Sequence, residues 1–139
     1  MTAALGDNST IAASPTTRTQ LGAEYRGKVR AIYDTYEAAS LATGSTIVIG
    51  KARAGEVFLG GKLVCDDLSS AGTISVGDAD SAARFLAATV ETTAGQATEM
   101  NAIGGLGYKF TADTDILLTT ATEEMTGTIK TVIYLACPN

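Results

Sequence analysis

Between Gly104 and Ala136 apolar and β-branched side chains recur with a period of two, the signature of half-buried strands. The spacing predicts three consecutive antiparallel strands in one sheet: Leu106 to Phe110, Asp115 to Thr120 and Thr128 to Ala136. In the last of them, alternation puts Ile129, Thr131, Ile133 and Leu135 on one face, the expected core face. The other face carries Thr128, Lys130, Val132, Tyr134 and Ala136. Val132 and Tyr134 make this second face apolar enough that a covering partner is expected there as well.

Upstream, the same alternation predicts strands over Lys28 to Glu37, Thr46 to Ile49, Val57 to Cys65 and Thr73 to Val76, with a polar bend from Ala38 to Ser45. Gly60 and Gly61 interrupt the third of these and predict a bulge or corner. Asp80 to Ala87, with acids at its start and alanine in its body, predicts a helix of at most about two turns. Thr89 to Asn101 has no clear period and reads as a long exposed loop. Short strands punctuated by glycine, with connections too long for simple hairpins, point to an all-β fold. Its form is an antiparallel β-sandwich of jelly-roll type, with one short helix and an extended N-terminal arm.

That arm is residues 1–26, ahead of a sandwich domain over residues 27–139. It is rich in alanine and threonine, with turn-forming clusters at Asp7 to Thr10 and Ser14 to Thr17. By itself it buries too little apolar surface to offset its ordering entropy. It is expected to extend onto a neighbouring chain, with a local strand as the alternative. The length of 139 residues suits one domain, burying about 68–70% of its unfolded surface. No apolar run reaches the ~18 residues of a membrane span, and no basic region precedes an apolar stretch near the start. Neither a membrane nor a signal-peptide route is expected.

Charge is unevenly placed. Residues 1–62 carry seven Lys and Arg against five Asp and Glu, whereas residues 63–139 carry three against ten. The front half suits an acidic partner, but its cations are too scattered to make nucleic acid an expected one. Cys65 and Cys137 have no metal or redox spacing, and there is no histidine, so no metal or cofactor is expected.

Candidate chemistry is thin. Asp113 and Asp115, like Asp78 and Asp80, have the alternate spacing of cation-binding loops, but the glycine and distal glutamate of such a loop are missing. Turn-capping carboxylates are the simpler reading, and Asp66-Asp67 reads the same way. Gly104-Gly105-Leu106-Gly107 precedes a strand and lacks the lysine of a phosphate loop. Cys65 reads as a buried structural thiol, and no serine or threonine has a base beside it. No enzyme is expected. The most interface-like cluster is Tyr25, Tyr33 and Tyr36 interleaved with Arg26, Lys28 and Arg30, with Arg18 upstream in the arm and Val132 and Tyr134 on the last strand. The equal alternative is that these tyrosines close one end of the sandwich.

The order of segments resembles a known class. Tyr33-Asp34-Thr35-Tyr36-Glu37 is followed by Gly44-Ser45-Thr46-Ile47, Gly55 to Leu63, Thr73 to Asp78, Gly105 to Thr120 and Thr126 to Lys130. Together, over roughly residues 27–136, they resemble the head decoration, or cement, proteins of tailed bacteriophages. The resemblance implies a jelly-roll homotrimer, made in the host bacterial cytoplasm. It would sit on the outer capsid surface and bridge subunits of the major capsid protein. A carbohydrate- or receptor-binding module of a phage tail or head fibre is the alternative, disfavoured by the lack of tryptophan and the few loop aromatics.

Overall fold

The computed structural model describes residues 28–138, so the expected arm lies outside the described residues. Eight strands follow in order: β1 (Lys28–Leu41), β2 (Thr46–Ala52), β3 (Val57–Cys65), β4 (Thr73–Gly77), β5 (Leu86–Val90), β6 (Ala97–Glu99), β7 (Thr114–Ala121) and β8 (Met125–Cys137). They form two four-stranded antiparallel sheets, β1-β8-β3-β6 and β2-β7-β4-β5. The expected β-sandwich is present.

Alternation governs which side chains enter the core. β8 buries Ile129, Thr131, Ile133 and Leu135, as its pattern predicts, and β7 buries Ile116, Leu118 and Thr120 from the opposite sheet. Phe58, Phe85 and Phe110 fill one end of the space between the sheets, with the Phe58 and Phe85 rings stacked at 4.3 Å and Phe85 and Phe110 at 5.8 Å. Such pairs add to the hydrophobic gain from their area.

Several local expectations are corrected. β7 and β8 do not pair with each other: β8 lies between β1 and β3, and β7 between β2 and β4. Each strand has one face that must be buried, and the turn at Thr122, with φ of 76°, carries the chain across the core so that both faces meet there. Residues 106–110 form no strand, only an isolated bridge from Lys109 to Val57. Here Gly107 donates to the Phe58 carbonyl and Tyr108 accepts from the Phe58 amide, so the segment closes the aromatic end of the core as a turn.

The expected helix at residues 80–87 is also absent, and no helix occurs among the described residues. The Asp78 carboxylate does accept nearby amides, from Asp80 and Ser81 at 3.0 and 2.9 Å, but as a turn cap. Phe85 then donates its amide to the Val76 carbonyl at 2.9 Å, which starts β5 and buries the ring. Two helical turns without a packed face have too few bonds to offset nucleation. The expected exposed loop at residues 89–101 holds the end of β5 and all of β6, with Glu91 and Met100 buried.

At Gly60 and Gly61 the bulge is found: the register with β8 shifts between Phe58 and Gly60, and Gly60 has φ of 125°. A β-carbon on Gly61 would come within 2.5 Å of the Val132 carbonyl oxygen, so this crossing needs glycine. β1 runs to Leu41, past the expected bend, through an irregularity after Ala38 at which Ser40 adopts φ of 51°.

Candidate subunit interface

On the outer side of the β1–β8 pair, the register sets Val29 opposite Ala136, Ala31 opposite Tyr134, Tyr33 opposite Val132 and Thr35 opposite Lys130. Diagonal neighbours on one sheet face lie within reach of an aromatic ring, so Tyr134 joins Val29 and Tyr33 in one stripe. Val29 and Tyr33 are each 62% exposed and Tyr134 39%, while Val132 is half-buried. Lys130 and the Lys62–Glu99 pair at 3.7 Å frame the stripe with charge. The structure thus brings together Tyr33, Val132 and Tyr134 from the predicted set. It adds Val29, which shares the alternation of Tyr33 and was legible on the same grounds.

Lys28 begins β1, exposed and opposite Cys137. Arg30 and Tyr36 project to the opposite face of β1 from Tyr33. The Arg30 guanidinium donates to buried Glu56 through Nη2 at 2.7 Å and Nε at 3.1 Å, and to the Lys51 carbonyl at 2.9 Å. Glu56 also accepts from the Arg53 amide at 2.6 Å and the Cys137 thiol at 3.0 Å. Burial opposes ionisation of Glu56, but the bonds from Arg30, Cys137 and Arg53 outweigh it and hold the carboxyl at about 2. Arg30 therefore ties β1 to the β2–β3 turn. Tyr36 borders a cleft of about 100 Å³ between β1 and β2, lined also by Asp34, Ile47, Ile49, Leu118 and Thr131. The buried Thr131 hydroxyl has no hydrogen-bond partner among the described residues. Arg18, Tyr25 and Arg26 lie outside the described residues.

The carboxylate pairs are separated in use. Asp78 pairs with Arg84 at 2.7 Å, which overcomes burial and lowers its pKa, and Arg84 in turn lies 4.2 Å over the Tyr108 ring. Asp113 accepts from the Ala54 amide at 3.1 Å, Asp115 lies 4.0 Å from Lys51, and Asp66 accepts from the Thr128 amide at 2.9 Å. Among the described residues no three potential metal ligands cluster. Burial, with Glu91 and Asp66 nearby, pushes the Cys65 thiol up to about 12.

Sequence reasoning missed the loop after β6, where Ile103 is 98% and Leu106 61% exposed. The signal was present in the glycines around these two residues, which form a turn that lifts them outward. It also missed which charges the fold gathers. Lys28, Arg30, Lys51 and Arg53 come together where β1 and β8 pair at Lys28–Cys137, with Glu56, Asp113 and Asp115 among them. Glu37, Asp66 and Glu123 lie toward the other end, near Thr128 and Ser70.

No protein-family model and no curated protein sequence matches the chain. Solved structures do. A chain of the cyanophage Pam1 capsid asymmetric unit matches at a TM-score of 0.69 and 24% identity, over 81% of this chain and 86% of that one. A chain in the capsid of Ralstonia phage GP4 matches at 0.66 and 19%, over 81% and 86%. One from the acidic stable capsid structure of Helicobacter pylori bacteriophage KHP30 matches at 0.60 and 11%, over 80% and 89%. Over some 80% of its length, then, this chain shares its fold with a chain from the capsid of each of three bacteriophages.

Proposed function

We propose that this chain is a structural virion protein that acts by adhesion: a decoration protein on the outer surface of a phage capsid, bridging major capsid subunits. The observation that carries this reading is the fold shared with chains of three phage capsids, each covered over more than four fifths of its own length. The strand order supports a jelly roll. β1 pairs with β8, β2 with β7, β3 with β6 and β4 with β5, the pairing of a single long ribbon rolled into two sheets.

The stripe of Val29, Tyr33, Val132 and Tyr134 is the surface offered to other subunits of a homotrimer, with exposed Ile103 and Leu106 as a second apolar contact. Residues 1–26 act as an arm onto the shell. Many weak sites on one particle give avidity, and contacts that exist only in the assembled lattice stabilise it by mass action. Glu56, Asp66, Asp78 and Asp113 are engaged in turns and ion pairs, which fits a protein without catalysis.

The test uses particles that lack the protein. Added full-length chain should co-sediment with them and raise the temperature at which they release DNA. A chain without residues 1–25 should remain a folded oligomer but fail to bind. Normal decoration by the truncated chain removes the arm from the proposal, and failure of the full chain to bind any head removes the proposal itself.

A further inference from the structure

β1 is 14 residues long, forms an edge of its sheet among the described residues, and has no proline and no break in register from Lys28 to Ala38. Protein sheets ordinarily shield such an edge, because its unpaired backbone groups template another strand. Which groups face outward follows from the neighbouring ladder. The Gly61 carbonyl accepts from the Met100 amide at 2.9 Å and so faces β6. At the Gly61–Ile133 pair, the Ile133 backbone is therefore left to bond β1, at Ile32. Even-numbered residues of β1 thus bond β8, and Val29, Ala31, Tyr33 and Thr35 present their amides and carbonyls to the open edge. The Thr35 amide agrees, since it donates to the Asp34 carboxylate at 2.8 Å and not across to Lys130.

We propose that this edge pairs antiparallel with β1 of a second copy of the chain, about a two-fold axis through Ala31, joining two sheets into one. In this register Lys28 lies opposite Asp34 of the second copy, an ion pair formed twice. Val29 lies opposite Tyr33 of the second copy, so two of the most exposed apolar side chains pack side by side across the seam, also twice, with their outward face left for the contact proposed above. At the axis alanine meets alanine, with no bulk in the way. Pairing stops at Asp34 because the next outward amide, that of Thr35, is already taken by the Asp34 carboxylate. A two-fold through Tyr33 instead sets Ile32 against Asp34 and Val29 against Glu37, apolar against acid. One that sets Ala31 against Tyr33 puts Arg30 opposite Asp34, but Arg30 is committed to Glu56. In the Ala31 register Ile32 faces Arg30, whose guanidinium is turned to Glu56, so the charge order of β1, cations first and acids after, favours this register. The contact goes beyond the proposed capsid role and does not depend on it, because it is read from the register and charge order of β1.

Sedimentation velocity of the full chain over a wide concentration range tests it. The assembly mass should double with concentration, and less readily at high salt, since the ion pairs are exposed. Lys28→Asp or Asp34→Lys alone should weaken doubling about tenfold, through two lost pairs and two repulsions. The double variant Lys28→Asp/Asp34→Lys should restore it. Ala31→Pro should abolish doubling while leaving the sheet circular dichroism in place, because the amide it removes is not used by β8. A full chain that never doubles, as when its own residues 1–27 cover the edge, overturns the proposal. So does doubling that ignores both charge reversals, or that the charge swap fails to restore.

Discussion

Replacing Arg30 with methionine removes the charge partner of Glu56 while keeping most of the buried stem. Glu56 is 2% exposed and sits where β1, the β2–β3 turn and the end of β8 converge. Its carboxyl is held at about 2, against an ordinary value of 4.5. At roughly 1.4 kcal/mol per unit, that difference corresponds to about 3 kcal/mol of stability at neutral pH. Stripping one partner from a buried pair costs roughly 3–5 kcal/mol, so Arg30→Met should lose about 3 kcal/mol at pH 7. For a domain of this size that lowers Tm by about 6–12 °C. Because the folded carboxyl is depressed, its contribution is complete above about 4.5 and lost as pH falls toward 2. The gap between wild type and Arg30→Met should therefore narrow across that window. Adding Glu56→Leu to Arg30→Met should recover much of the loss, because an apolar replacement leaves no stranded charge. Urea denaturation at pH 7 and at several values down to 2.5 measures all of this. A single-variant loss under about 1 kcal/mol, or a gap that does not change with pH, refutes the role given to this pair.

Asp78→Ala should cost about 2–3 kcal/mol in the same assay, since it strands two turn amides and frees Arg84 from its place over Tyr108. Thr131→Val should be neutral or stabilising by up to about 1 kcal/mol, because it removes a buried hydroxyl with no partner among the described residues and keeps the shape. Iodoacetamide at pH 8 should leave Cys65 unlabelled in the folded chain, given burial and a thiol pushed up to about 12. Cys137, raised first by its hydrogen bond to Glu56, should label slowly and faster in Glu56→Gln, read by peptide mass spectrometry.

Alternation alone determined the strands that bury one face and expose the other. β3 matches its expected bounds, β7 and β8 fall within a few residues of theirs, and the inward set on β8 is the one its pattern names. The glycine pair in β3 announced its bulge for the same local reason: only glycine tolerates that backbone and that closeness to Val132. For the interface, β-periodicity placed Tyr33, Val132 and Tyr134 on outward positions.

What the sequence left open was partnership. That β8 sits between β1 and β3, while β7 crosses to the other sheet, depends on contacts between residues about a hundred positions apart, such as Ile32 with Ile133. Local pattern carries no record of these pairings. The same holds for Arg30, whose charge reads as surface until Glu56 arrives beside it from a distant turn. Residues 80–87 favour a short helix by local propensity, yet Phe85 gains more by entering an aromatic core assembled from three separate segments. Periodicity is a property of neighbours along the chain and survives in the sequence. Sheet order and ion-pair choice are settled only when distant segments compete for the same buried space.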